Sequence, residues 1–185
     1  MSLPGLRGAE HIGLTVPDLD EAERFLVGVL GATPIFDGGT IDDPDAMTRV
    51  LGAPEGSRCR YRFFRLGHGP NLEVFEYRGG RSTEHPGNAD AGGHHLALYV
   101  DAIGPAYEHL LAHDVACSGP PERIRSGPAA GSDWLYFKAP WGLQMELVSY
   151  PNGKGYEAGA GAFLWSPADP AAGVAERPAP SGAAR

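Results

Sequence analysis

Hydrophobic and polar positions alternate along two short stretches of this chain, and the two stretches match. Over residues 11–16, Ile12, Leu14 and Val16 form one apolar face, while His11, Gly13 and Thr15 form the other. Over 95–100, Leu96, Leu98 and Val100 oppose His95, Ala97 and Tyr99. A period of two predicts a strand in each place. The small or polar residues beside each histidine predict a second face that lines a cavity.

A helix is predicted after each strand. Pro17 to Ala22 is rich in caps and first-turn acids, and Leu19, Ala22, Phe25, Leu26 and Leu30 follow as a 3.6-period stripe closed by Gly31. In the second half Ile103, Ala106, Leu110 and Leu111 make the same stripe, with Pro105 tolerable in the first turn. Further strands are predicted over 33–36, 60–66 and 71–77, and over 116–118, 133–138 and 143–150. Each half therefore reads β-α-β-β-β.

The last predicted strands also match. Asn71-Leu72-Glu73-Val74-Phe75-Glu76-Tyr77 reads against Gln144-Met145-Glu146-Leu147-Val148-Ser149-Tyr150. Parity turns Leu72, Val74, Met145 and Leu147 toward the core, and Glu73 and Glu146 toward the cavity. Glu76 points the other way, which argues against it as a base. A carboxylate between apolar neighbours is costly unless it is paired or coordinating. His11, Glu73, His95 and Glu146 thus form a repeat-related set of two imidazoles and two carboxylates. Those donors suit a divalent metal, with Zn, Ni, Co, Mn and Fe(II) all acceptable. A single strand histidine would read as structural; four matched donors read as a first coordination shell.

The copies lie 84 residues apart at the histidines and 73 at the glutamates, so the first half carries 11 extra residues. They fall in the 37–57 connection, where 44–51 reads as a short helix. A functional cover for the site and a surface excursion with a local apolar anchor are both open there. The expected organisation is a first module over 8–78, a linker over 79–93, a second module over 94–150 and a partly disordered extension over 151–185. Phe163, Leu164 and Trp165 are its candidate anchors, and disorder is expected from about residue 171.

Composition narrows the function class. The formal net charge of −8 disfavours nucleic acid, which needs a basic surface. No run approaches the ~20 apolar residues of a membrane span. Cys59 and Cys117 form no C-x-x-C pair, and residues 1–10 carry no export signal, so reduced thiols in the cytoplasm are expected.

The chain resembles the vicinal-oxygen-chelate superfamily, which includes glyoxalase I, methylmalonyl-CoA epimerase, extradiol dioxygenases, and bleomycin and fosfomycin resistance proteins. The resemblance runs from about Gly8 to Tyr150. It rests on His11-Ile-Gly-Leu-Thr-Val-Pro-Asp-Leu19, the His94-His95 strand and Tyr136-Phe-Lys-Ala-Pro-Trp-Gly-Leu-Gln-Met-Glu146. It implies an α+β fold of two tandem βαβββ modules, forming a curved, U-shaped mixed sheet around a metal cleft. It also implies metal ligation by His11, His95 and Glu146, with Glu73 in the fourth position. His94, of opposite parity to His95, is expected to be a hydrogen-bonding neighbour rather than a ligand. The expected assembly is a homodimer with a small-molecule substrate, its site lying within one chain or across two.

With Glu73 as a ligand, the resemblance favours proton transfer beside the carbonyl of a small substrate chelated through two oxygens. Glyoxalase-type isomerase, epimerase and lyase chemistry all fit, with Glu73 or Glu146 as base. The alternative is an Fe(II) extradiol dioxygenase, favoured by Tyr136 ten residues before Glu146, with His68 and His85 as candidates for its further acid–base role. A drug-sequestering resistance protein is the second alternative, and the complete donor set weighs against it. The Tyr136 ring also reads as a plain cavity wall.

Overall fold

The computed structural model describes residues 4–80 and 85–171. The rest of the 79–93 linker and most of the tail expected to be disordered lie outside the described residues. The chain divides into two compact units, one up to residue 84 and one from residue 85.

The first unit runs β1 (His11–Val16), α1 (Leu19–Gly28), β2 (Thr33–Ile41), a π-helical turn (Ala46–Val50), β3 (Arg58–Arg65) and β4 (Asn71–Arg78). Its four strands lie in the order β1-β4-β3-β2. β1 runs parallel to β4, and the other pairs are antiparallel. Leu14, Val16, Phe64, Leu72 and Val74 are buried, and so are Leu19, Ala22, Phe25 and Leu26 along α1. The Asp18 carboxylate caps α1 by accepting from the Asp20 and Glu21 N–H groups at 2.9 and 2.8 Å. Gly31, at φ 74°, turns the chain beyond it.

Glu76 has the helix-side parity the pattern gave it, opposite to Glu73. Its carboxylate is buried, accepts the Leu19 N–H at 3.0 Å, and pairs with Arg60 at 2.9 Å and Arg78 at 2.6 Å. Burial alone would raise its pKa, but these donors more than offset it and hold the carboxyl below its ordinary range. It therefore fixes the start of α1. Arg62 ties the same helix to the sheet through Asp20, Glu23 and Asp37, at 2.7, 2.8 and 2.9 Å.

The second unit runs β5 (His95–Tyr99), α2 (Ile103–Ala112), β6 (Glu122–Arg123), β7 (Asp133–Lys138), β8 (Gln144–Ser149) and a 3-10 turn (Gly155–Glu157). Its strand order, β5-β8-β7-β6, repeats the first sheet, again with the first and last strands parallel. Leu110, Leu135, Phe137, Leu143, Met145 and Leu147 supply its core. Ser149 stands where Glu76 stands in the first unit, and its hydroxyl donates to the Asp101 carbonyl at 3.2 Å beside the start of α2.

Four expectations need correction. β2 runs on to Ile41, so residues 37–41 belong to the sheet and not to a connection. The strand predicted over 116–118 is a single bridge from Cys117 to Phe137, and the named edge strand is Glu122–Arg123. Gly119, Pro120 and Pro121 separate the two, and proline donates no ladder hydrogen bond. Leu111 is 44% exposed, leaving Leu110 as the fully packed residue of α2. In the extension Leu164 and Trp165 are exposed, while Ser166 is buried with its hydroxyl 3.3 Å from that of Tyr150.

Candidate metal-binding half-sites

In the first unit the β1–β4 register sets His11 opposite Asn71 and Gly13 opposite Glu73. His11 and Glu73 thus share a face, two positions out of register. His11 Nε2 lies 3.1 Å from Glu73 Oε2. The second unit repeats the construction: His95 pairs with Gln144, Ala97 pairs with Glu146, and His95 Nε2 lies 3.3 Å from Glu146 Oε2. Side-chain exposure matches as well, at 40% and 18% for His11 and Glu73 against 39% and 17% for His95 and Glu146. Each imidazole opens to solvent while its carboxylate is mostly covered.

An aromatic ring stands edge-on to each histidine. Phe63, opposite Glu73 on β3, meets His11 with centroids 5.6 Å apart at 76°. Tyr136, opposite Glu146 on β7, meets His95 at 5.4 Å and 77°. The hydroxyl at this place therefore belongs to the second unit alone. Burial, and then the Glu146 charge, raise the Tyr136 phenol. Burial also raises Glu146, against the opposing pulls of His95 and Lys154.

His11 has a further partner that sequence reasoning left unassigned. Its Nδ1 lies 2.5 Å from Glu10 Oε2, and Asn71 Nδ2 donates to the other Glu10 oxygen at 2.9 Å. The Glu10 contact raises the imidazole's pKa. Adjacent residues within a strand point to opposite faces. Glu10 precedes the first residue of β1, where that alternation does not bind it.

The donor geometry fits a divalent ion. Two donors each ~2.1 Å from one ion lie roughly 3.0–3.4 Å apart at octahedral or tetrahedral angles. Both Nε2–Oε2 separations agree with that. A metal-binding imidazole ordinarily donates its other ring N–H to a carboxylate or carbonyl, which Glu10 supplies to His11. Among the described residues no three His, Cys, Asp or Glu side chains gather in a metal-holding group, so each unit on its own presents two donors.

The remaining candidates lie elsewhere. His94 turns Nδ1 to the Gly92 carbonyl at 3.1 Å and packs against His85 with ring centroids 5.1 Å apart. His68 is exposed in the turn between β3 and β4. Cys59 and Cys117 are free thiols.

The model of the Glyoxalase/Bleomycin resistance protein/Dioxygenase superfamily matches residues 8–147. The chain belongs to this superfamily. The match spans both units and every residue of the two half-sites. A 2-epi-5-epi-valiolone epimerase from Actinomyces sp. is 40% identical over 167 residues, covering 89% of this chain and 91% of the relative. Among solved structures, a superfamily domain from Frankia sp. EAN1pec aligns with TM-score 0.59 at 21% identity, covering 79% of this chain and 99% of that one. The trypanothione-dependent glyoxalase I of Leishmania major aligns with TM-score 0.54 at 20% identity, covering 78% and 88%. These two structural likenesses establish the glyoxalase fold. No helix among the described residues is long and apolar enough to cross a membrane.

Proposed function

We propose that this chain is a divalent-metal-dependent epimerase acting on 2-epi-5-epi-valiolone or a close stereoisomer. The observation that carries the reading is its 40% identity to the Actinomyces epimerase across 89% of the chain. The two matched half-sites, His11 with Glu73 and His95 with Glu146, support it chemically. Residues His11, Glu73, His95 and Glu146 would hold the ion. When bound, a divalent cation acidifies a C–H next to a carbonyl by Lewis-acid stabilisation of the enolate.

The substrate's name marks it as a ketone, and inversion beside a ketone requires a proton to leave one face and return to the other. The chain offers a carboxylate in each module, Glu73 and Glu146, to accept and return it through an oxygen that the ion would leave free. His11 and His95 keep those oxygens in place, while Phe63 and Tyr136 wall the two half-sites. The isomerase and lyase chemistries of the superfamily share this proton removal, but the identity to the epimerase favours inversion.

One observation favours a second reading. The Tyr136 ring, whose hydroxyl its counterpart Phe63 lacks, stands against His95 and opposite Glu146 in the sheet, where an extradiol dioxygenase would use an acid–base tyrosine. Incubating the purified, metal-analysed protein with 2-epi-5-epi-valiolone in deuterated buffer under argon separates the two. Deuterium incorporation with inversion supports the epimerase. An inert protein under argon that consumes oxygen with a catechol supports the dioxygenase. His11→Ala and His95→Ala should each strip the metal. The two free thiols fit a cytoplasmic protein, and a homodimer, checked by sedimentation, completes this proposal.

A further inference from the structure

The family match ends at residue 147, yet the chain continues as an ordered extension against the second unit. The Gly153 N–H donates to the Tyr150 carbonyl at 2.9 Å, Gly155 N–H to Ala130 at 2.8 Å and Tyr156 N–H to Pro128 at 2.9 Å. A Cβ on Gly155 would lie 2.6 Å from the Gly127 carbonyl oxygen, so the loop is clamped at close range. This clamp delivers Lys154, whose Nζ stands 4.2 Å from the centroid of the Tyr150 ring.

Tyr150 follows Glu146 and Val148 with the same parity, just past the end of β8. It meets Tyr99, which shares the face of His95, at 4.8 Å and 65°. Its hydroxyl is held by Ser166 of the same extension. Lys154 is therefore a half-buried cation on the face that carries His95 and Glu146. Its pull on the Glu146 carboxyl agrees with that placement. The cation–π contact holds the Lys154 ammonium against the Tyr150 ring and leaves the N–H groups on its far side for a ligand.

Building on the epimerase reading, we infer that the 151–171 extension is part of the substrate site and that Lys154 binds an oxygen of the substrate remote from the carbon that is inverted. A charge-assisted hydrogen bond from the ammonium to a hydroxyl or carbonyl oxygen sets which stereoisomer fits. It makes and breaks no covalent bond.

The test is steady-state epimerisation of 2-epi-5-epi-valiolone by wild type, Lys154→Met and Lys154→Arg, with metal content and Tm measured on each. Loss of one charge-assisted hydrogen bond predicts that Lys154→Met lowers kcat/KM by about 10- to 100-fold, chiefly through KM, with metal content unchanged. Lys154→Arg should recover much of the loss. If the Met variant is destabilised, Lys154→Gln takes its place in the comparison. An unchanged KM overturns the inference, including the case of a lower kcat alone, which would place Lys154 with Glu146 and not with substrate. Equal losses in the Met and Arg variants would also overturn it, by assigning Lys154 to packing. A wild type that neither inverts nor exchanges the substrate removes the epimerase reading itself. An active wild type with an indifferent Lys154→Met removes only this inference.

Discussion

The Tyr61 ring lies flat across Gly38, so close that a Cβ on the glycine would fall 2.0 Å from Tyr61 Cζ. Gly38 sits in the second register shift of β2, between Asp37 and Gly39, and Tyr61 stacks on Phe75 at 5.6 Å and 25°, on the face that carries Glu73. Gly38→Ala must push the ring off this face. The expected cost is about 1–3 kcal/mol, the usual range for overpacking. A lower Tm with an altered KM, at unchanged metal content, is the outcome to look for. Unchanged stability would show that the ring can move freely.

Glu10 should govern the titration of His11. Because the carboxylate raises the imidazole pKa, Glu10→Gln should lower it, and NMR titration of the metal-free protein reads this directly. Metal affinity should fall by roughly 10- to 100-fold, as it does when an outer partner of a ligating histidine is lost. An unmoved His11 resonance would rule out the Glu10 contact in solution.

Glu76 should give the fold an acid-sensitive element. Its carboxyl titrates below the ordinary value in the folded state, so its stabilisation is complete above the ordinary carboxylate range. The stabilisation declines as pH falls through that range to the folded value. Glu76→Gln is expected to cost roughly 2 kcal/mol at neutral pH, on the scale of hydrogen bonds to a charged group. Urea unfolding of both proteins at neutral and acid pH should show the difference shrinking as the pH drops.

Met47 is fully buried, as the local apolar anchor of the 37–57 segment would be. Met47→Ala should therefore destabilise by about 2–5 kcal/mol, the range for truncating a core methionine. Chemical denaturation measures this. A loss well below that range would show that Met47 does not anchor the segment.

Tyr136→Phe separates the two chemistries. If carboxylates move the proton, epimerisation should survive with less than about a tenfold loss, since the phenol then only walls the site. Complete loss of activity would move Tyr136 into the proton-transfer machinery.

Alternation over 11–16 and 95–100 identified both histidine strands, and the Glu73 and Glu146 matches identified their parallel partners. These were legible because each strand buries one face and leaves the other for the site. Glu76 was legible for the same reason, since parity alone sent it to the helix side. Glu10 was hidden because a residue just before a strand escapes the alternation inside it. The reach of β2 to Ile41 was hidden by Gly38, Gly39 and Thr40, which carry no hydrophobic period. Met47 was hidden because one buried residue in a short turn makes no pattern. Lys154 had no repeat counterpart to announce it, and its position depends on backbone contacts of glycines.

The parallel pairing of β1 with β4 also bears on how the molecule is made. Glu10 and Asn71 touch across a separation of 61 residues, and His11 meets its carboxylate only when that long loop closes. The hairpin of β3 and β4 is local and can form early, whereas β1 must return to dock beside β4 at greater entropic cost. The first donor pair is thus a product of the slowest kind of contact in the module. A nascent or partly unfolded chain holds His11 and Glu73 far apart, so an ion bound in the proposed site would be captured only as folding completes.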